Sequence, residues 1–155
     1  MIRTVYLKWH MSPSIFLPVV RELVRSYQAF ELVSARHIRQ LGLTPPQFDI
    51  IATLGNTQGM NCKELGEKTL ITKGTLTGVL DRLIDKGLIC RSTPPEDRRS
   101  IFICLTDTGE ALFQQAFPTH LAFLDGIFGK LDQATLNNLQ TSLLALRQAF
   151  EQELE

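Results

Sequence analysis

Arg98 and Arg99 follow two acids, Glu96 and Asp97, just after the breaker pair Pro94-Pro95. Adjacent guanidinium groups on a turn suit contact with phosphate oxygens or insertion into a groove. On two arginines alone a solvated loop is the better reading; the residues upstream reverse that. Thr72, Lys73, Thr75 and Thr77 fall near the start of one helix, where hydroxyl and ammonium donors and the helix dipole all favour a phosphate or base edge. Thr77 also carries a methyl that can meet a thymine. Gly74 and Gly78 lie on the same polar side, and each costs an exposed helix about 1 kcal/mol relative to alanine. Close approach of the backbone to another body, such as a DNA groove, accounts for keeping both. Arg82 suits either a phosphate contact or an ion pair with Asp81 or Asp85 on its own helix.

Other reactive side chains are sparser. Cys62 falls in the first turn of a helix, a place that lowers a thiol pKa and suits a redox sensor; a small residue in a half-buried turn explains it as well. Cys90 and Cys104 are equidistant from Asp97, so a symmetric hairpin places them face to face, where they also serve as small apolar residues lining the strands. His37 and His120 each fall on an apolar stripe, the usual place of a satisfied core histidine. No metal cluster, phosphate loop, dinucleotide fingerprint, nucleophile elbow or zinc-protease pattern is legible, so neither cofactor nor catalysis is expected.

These groups need helices and one hairpin to position them. A first long helix is expected from about Ser14 to Leu41, with Leu23, Tyr27, Phe30, Ser34, His37 and Leu41 as one stripe and Gly42 as its stop. Thr44 can cap the next helix, with Pro45 first inside it and Phe48, Ile51 and Leu54 facing inward. Gly55 and Gly59 bracket a loop. Asn61 opens a third helix with Glu64 completing a capping box, and Leu65 and Leu70 anchor it. Thr72 caps a fourth helix, which buries Leu76, Val79, Leu80, Leu83 and Ile84 and stops at Gly87. Leu88 to Thr93 and Ser100 to Leu105 then pair as two strands around the arginine tip. Thr106 caps a fifth helix that Pro118 should kink, and Asp132 caps a sixth with Leu136, Leu139, Leu143, Leu146, Phe150 and Leu154 in a stripe.

At 155 residues with 44% hydrophobic and 21% charged residues, the chain suits one ordered domain. It lacks an 18-residue apolar run and a signal-peptide pattern, and its three cysteines form no disulfide framework, so a reducing cytoplasm is expected and no membrane contact. The net charge of zero hides a polarity: residues 1–60 carry +3, residues 61–105 carry +2 and residues 106–155 carry −5. Such a chain can offer a positive face to phosphate while its acidic end points away. The first and last stripes exceed what a small winged domain needs, which points to burial against a second copy in a symmetric dimer.

Gly42-Leu43-Thr44 through Gln47-Phe48-Asp49, Asp81-Arg82-Leu83 running into Lys86-Gly87-Leu88, and Asp97-Arg98-Arg99 leading to Leu105-Thr106 and Gly109 together resemble the MarR-type winged helix-turn-helix transcriptional regulators. The resemblance implies a mainly α fold: a winged lobe over about residues 44–106 with a two-stranded wing, and a dimerisation lobe over about 1–41 plus 107–155, all within one domain. It implies an obligate homodimer on a pseudo-palindromic double-stranded operator. The fourth helix (Thr72, Lys73, Gly74, Thr75, Thr77, Gly78, Arg82) enters the major groove; Arg98 or Arg99, supported by Asp97, reaches the minor groove. Repression and release by an aromatic or lipophilic small-molecule effector are the family's habit, and His37, Phe48, Phe117 and His120 are the residues here that suit such a pocket. Some relatives sense oxidants through a cysteine near the start of the first helix, where this chain has none. The alternatives are a winged-helix module that docks proteins, which should show exposed apolar residues on the fourth helix, and a regulator that senses redox state through Cys62.

Overall fold

A computed structural model describes residues 15–93 and 101–154. Ser14, Pro94, Pro95, Glu96, Asp97, Arg98, Arg99 and Ser100 lie outside the described residues, and with them the start expected for the first helix and the arginine tip. The elements run in the order α1 (Phe16–Gln40), α2 (Pro45–Leu54), β1 (Met60–Asn61), α3 (Cys62–Thr69), α4 (Lys73–Asp85), β2 (Ile89–Ser92), β3 (Phe102–Leu105), α5 (Asp107–Phe128) and α6 (Gln133–Glu151).

Local chemistry sets most of these boundaries. α1 and α4 both end on a glycine in the left-handed region, Gly42 at φ 80° and Gly87 at φ 67°. In each case the N–H after the glycine returns to the helix: Leu43 donates to the Ile38 carbonyl at 3.3 Å and Leu88 to the Leu83 carbonyl at 3.0 Å. All four side chains are buried, so the stop signal also feeds the core. α2 starts on a capping box in which the Thr44 N–H donates to Gln47 Oε1 at 3.1 Å, which explains a buried glutamine. Asn61, Thr106 and Asp132 accept from the N–H groups of Glu64, Gly109 and Thr135. Thr72 sits at the cap position of α4, yet its hydroxyl donates to Thr75 Oγ1 at 3.1 Å instead of accepting a backbone N–H.

The core lies wholly within the middle of the chain. Ile50, Ile51, Leu54, Leu65, Leu83, Ile89 and Ile103 are essentially inaccessible, bringing α2, α3, α4 and the sheet around one centre. Burying each such side chain is worth roughly 1.5–3 kcal/mol. The last turns of α1, through Ile38, and the first half of α5, through Phe113 and Ala116, close this core from above. By contrast, α6 buries no residue at all.

The sheet holds one strand more than expected, and two sequence expectations, at Leu70 and Cys62, need correction. The wing hairpin of β2 and β3 forms as expected, and Met60 and Asn61 add a short β1 against β3, giving an antiparallel sheet in the order β1-β3-β2. Two residues give no readable alternation, and the loop expected up to the third helix hid them. Leu70 does not anchor α3: it is 87% exposed at φ 57°, and this left-handed residue ends the helix and turns its side chain outward. Ile71 packs against the core in its place. Cys62 is exposed, not half-buried. α5 runs from Asp107 to Phe128 with Pro118 inside it. The proline leaves the Gln114 carbonyl without its helical donor, but Gln114 is exposed and water can replace that bond.

Candidate nucleic-acid interface

α4 is held by Leu76, Val79, Leu80 and Leu83 on the core, and this fixes what it shows to solvent. Thr72, Lys73, Gly74, Thr75, Thr77 and Arg82 are exposed and Gly78 is half-buried. A Cβ at Gly74 or Gly78 would meet nothing within 4 Å. No packing among the described residues therefore calls for a glycine at either position. The Thr77 hydroxyl donates weakly back to the Lys73 carbonyl at 3.4 Å, so it is easily redirected to an external acceptor.

The rest of the surface around α4 was not readable from sequence. Arg91 of β2 donates to Asp81 Oδ1 at 3.1 Å, tying the wing to α4 across an exposed ion pair. This engages Asp81, and among the described residues Arg82 pairs with neither Asp81 nor Asp85. Arg82 instead lines an open cleft of about 600 Å³ with Arg39, Lys86, Asp85, Thr44 and Gln47. Three cations around one carboxylate make this edge of the lobe basic. Arg39, Lys86 and Arg91 come from three elements and share no sequence pattern, which is why spacing did not reveal them. Leu70 stands exposed immediately before α4, an apolar side chain on an otherwise polar face.

The four residues expected to suit a ligand pocket are brought together. His37 Nδ1 lies 3.0 Å from His120 Nδ1, and Ser34 Oγ lies 3.1 Å from His120 Nε2. Phe48 meets His120 edge-on at 4.9 Å between ring centroids, and Phe117 stacks near Phe48 at 6.4 Å. Phe123, which the sequence reading missed, stacks on His37 at 4.0 Å. This cluster is filled by its own side chains. The open space lies one turn further along the same two helices, a cavity of about 250 Å³ lined by Ala29, Phe30, Val33, Leu124, Ile127 and Phe128. Among the described residues no group of three or more His, Cys, Asp or Glu could hold a metal ion, and no helix is long and apolar enough to cross a membrane.

His120 is only 4% exposed, and burial, with repulsion from His37, pushes its pKa below the ordinary 6.5. The unfolded chain then binds the proton more readily than the folded one. This contribution to stability is complete above 6.5 and is lost as pH falls through the lowered folded value. Thermal melts from about pH 7.5 down to about pH 5 are expected to show a falling midpoint that His120→Gln flattens. An unchanged slope in the variant would remove His120 as its source.

The family model described as MarR family matches residues 43–101, from the turn after α1 to the residue before β3. HTH-type transcriptional regulator MhqR of Bacillus subtilis (strain 168) is 32% identical over 111 residues, which cover 72% of this chain and 77% of that protein. The homoprotocatechuate degradative operon repressor of Escherichia coli is 35% identical over 107 residues, covering 69% and 68%. The crystal structure of BpsR of Bordetella bronchiseptica, whose DNA binding is regulated by 6-hydroxynicotinic acid, superposes with a TM-score of 0.73 at 26% identity over 86% of this chain and 95% of that one. Its members are DNA-binding transcriptional regulators and not enzymes, and with helix-turn-helix, wing and terminal helices all in place this chain belongs to the MarR family.

Proposed function

We propose that this chain is a sequence-specific regulator that binds a pseudo-palindromic double-stranded operator as a homodimer, represses transcription, and is released by a small aromatic or lipophilic weak acid. The observation that carries the reading is the face of α4: hydroxyls, one lysine and two glycines whose Cβ positions open into empty space. Thr72, Lys73, Thr75 and Thr77 contact phosphates and base edges, Gly74 and Gly78 let the helix backbone approach the groove, and Arg82 holds a phosphate at the basic edge. Arg98 or Arg99 enters the minor groove, with Asp97 shaping the tip. Leu70 reaches sugar or thymine methyl groups beside α4.

The dimer is supported by apolar side chains that one chain leaves in water. Leu139, Leu143, Leu144 and Phe150 of α6 are exposed, as are Phe16, Val20, Val24 and Tyr27 of α1. A contiguous patch of this kind on a monomer is a partner surface. The effector is supported by the apolar cavity beside the His37–His120 pair and by the aromatic acid that regulates the DNA binding of BpsR. An effector placed there acts only if it prefers one spacing of the two winged lobes.

Selection from random duplexes tests the proposal in one experiment. It is expected to recover an inverted repeat with half-sites about one helical turn apart. Titrating the complex with a panel of phenolic and pyridine carboxylic acids is expected to release the DNA. Recovery of no duplex preference would sink the regulator reading, and a preference that no panel member weakens would sink the effector.

A further inference from the structure

The wing carries a pair of thiols that neither the core nor the α4 face uses. Cys90 and Cys104 are direct partners in the β2–β3 ladder, and their sulfurs lie 2.9 Å apart. Both are free and both are partly exposed. Their neighbours along the ladder, Ile89 and Ile103, point into the core, so strand alternation puts the two thiols on the sheet's outer face. The loop residue beside them is Gly59, where a Cβ would stand 3.1 Å from Cys104 Cβ, so this residue lays no side chain against the thiols. Directly opposed residues of an antiparallel pair have Cα atoms about 4.5–5.5 Å apart, inside the range a disulfide accepts. A structural core position needs only one small apolar residue; two sulfurs in contact on the exposed face can do more.

We propose that Cys90 and Cys104 form a dithiol site in the wing that a hydroperoxide closes to an intrachain disulfide, lowering affinity for DNA. One thiolate attacks the peroxide oxygen, forming a sulfenic acid and releasing the alcohol or water. The second thiol then attacks the sulfenic sulfur, and the hydroxyl leaves as water with the second proton. Two thiols and one peroxide thus give one disulfide, one alcohol or water, and one water. The hydrogen bond that the Cys90 thiol makes to Cys104, with burial, holds it above its ordinary pKa, which suits Cys90 to the second, resolving step. Closing the bond draws the Cβ atoms to about 3.5–4.5 Å from the roughly 4.5–5.5 Å of an open ladder. The strands beyond the core-anchored pair Ile89–Leu105 must then narrow and twist, which shifts Arg91 and its tie to Asp81 of α4. A bond made under such strain is readily reduced, so the change is reversible.

The effect on DNA rests on the regulator reading above, whereas the thiol chemistry does not, and the test separates them. The full chain is treated with hydrogen peroxide or cumene hydroperoxide, then measured by intact mass, non-reducing peptide mapping and duplex affinity. The expected result is a loss of about 2 Da per chain, a peptide linking Cys90 to Cys104, and roughly tenfold weaker binding that dithiothreitol restores. Cys62→Ser should behave as the parent chain. Cys104→Ser should bind as the reduced parent and ignore peroxide. Oxygen added to either cysteine without a link, a link running through Cys62, or a complete Cys90–Cys104 link with unchanged affinity would each overturn the proposal. A reduced chain that binds no duplex would instead defeat the regulator reading, leaving the mass readout to decide the dithiol.

Discussion

Deleting the chain from Asp132 onward is expected to abolish tight operator binding while leaving the winged lobe folded. The expectation follows from where burial lies: among the described residues every buried apolar side chain falls between Ile38 and Ala116, and α6 contributes none. Such a helix gains little from the described residues of its own chain, which leaves its apolar face to be covered by a second copy. If so, the deletion separates two half-site readers that were bound as one. Loss of such linkage costs about 10²–10⁴ in affinity. Circular dichroism should therefore report a retained melting transition, sedimentation should report a monomer, and anisotropy should report only weak, strongly salt-sensitive binding. A truncated monomer with undiminished affinity for the full operator would mean that α6 serves another purpose.

The second large effect sets stability against function at the same residues. Gly74→Ala and Gly78→Ala place a methyl in empty space within α4. Each should stabilise the free protein by roughly 0.5–1 kcal/mol, because glycine loses more backbone freedom than alanine on entering a helix. For a chain of this size that is an increase of about 2–4 °C in midpoint per kcal/mol. If the glycines exist to admit a groove, the same methyls should weaken operator binding by about 1–3 kcal/mol and alter base preference near the contact. A rise in stability together with a fall in affinity is hard to obtain from a merely tolerated glycine. Variants that melt higher and bind equally well would assign the glycines no role in recognition.

Much of this architecture was readable because its signals are local. Gly42 and Gly87 mark helix ends through backbone conformation alone, and Thr44, Asn61, Thr106 and Asp132 mark helix starts through one side chain each. The apposition of Cys90 and Cys104 could be read because both strands are counted from a single turn. β1 was missed because two residues carry no period, and its pairing with β3 is decided some forty residues downstream. Leu70 was misplaced because an apolar residue at helical spacing looks buried until the left-handed turn is seen. The Arg91–Asp81 tie and the His37–His120 pair join positions that only tertiary packing brings together. Each histidine alone reads as a core residue. Their shared geometry appears only when α1 and α5 are laid side by side.

The central claim is that the α4 face and the basic residues around it grip a DNA duplex through its phosphates. The most direct test is the dissociation constant of the intact chain for its selected inverted repeat, measured across a salt series from about 50 to 200 mM, the interval over which a protein making several phosphate contacts loses orders of magnitude in affinity. The account predicts a linear fall of log affinity with log salt, with a slope that Arg82→Ala makes shallower by about one. An affinity that ignores salt, or a slope indifferent to Arg82 and to the residues of α4, would contradict it.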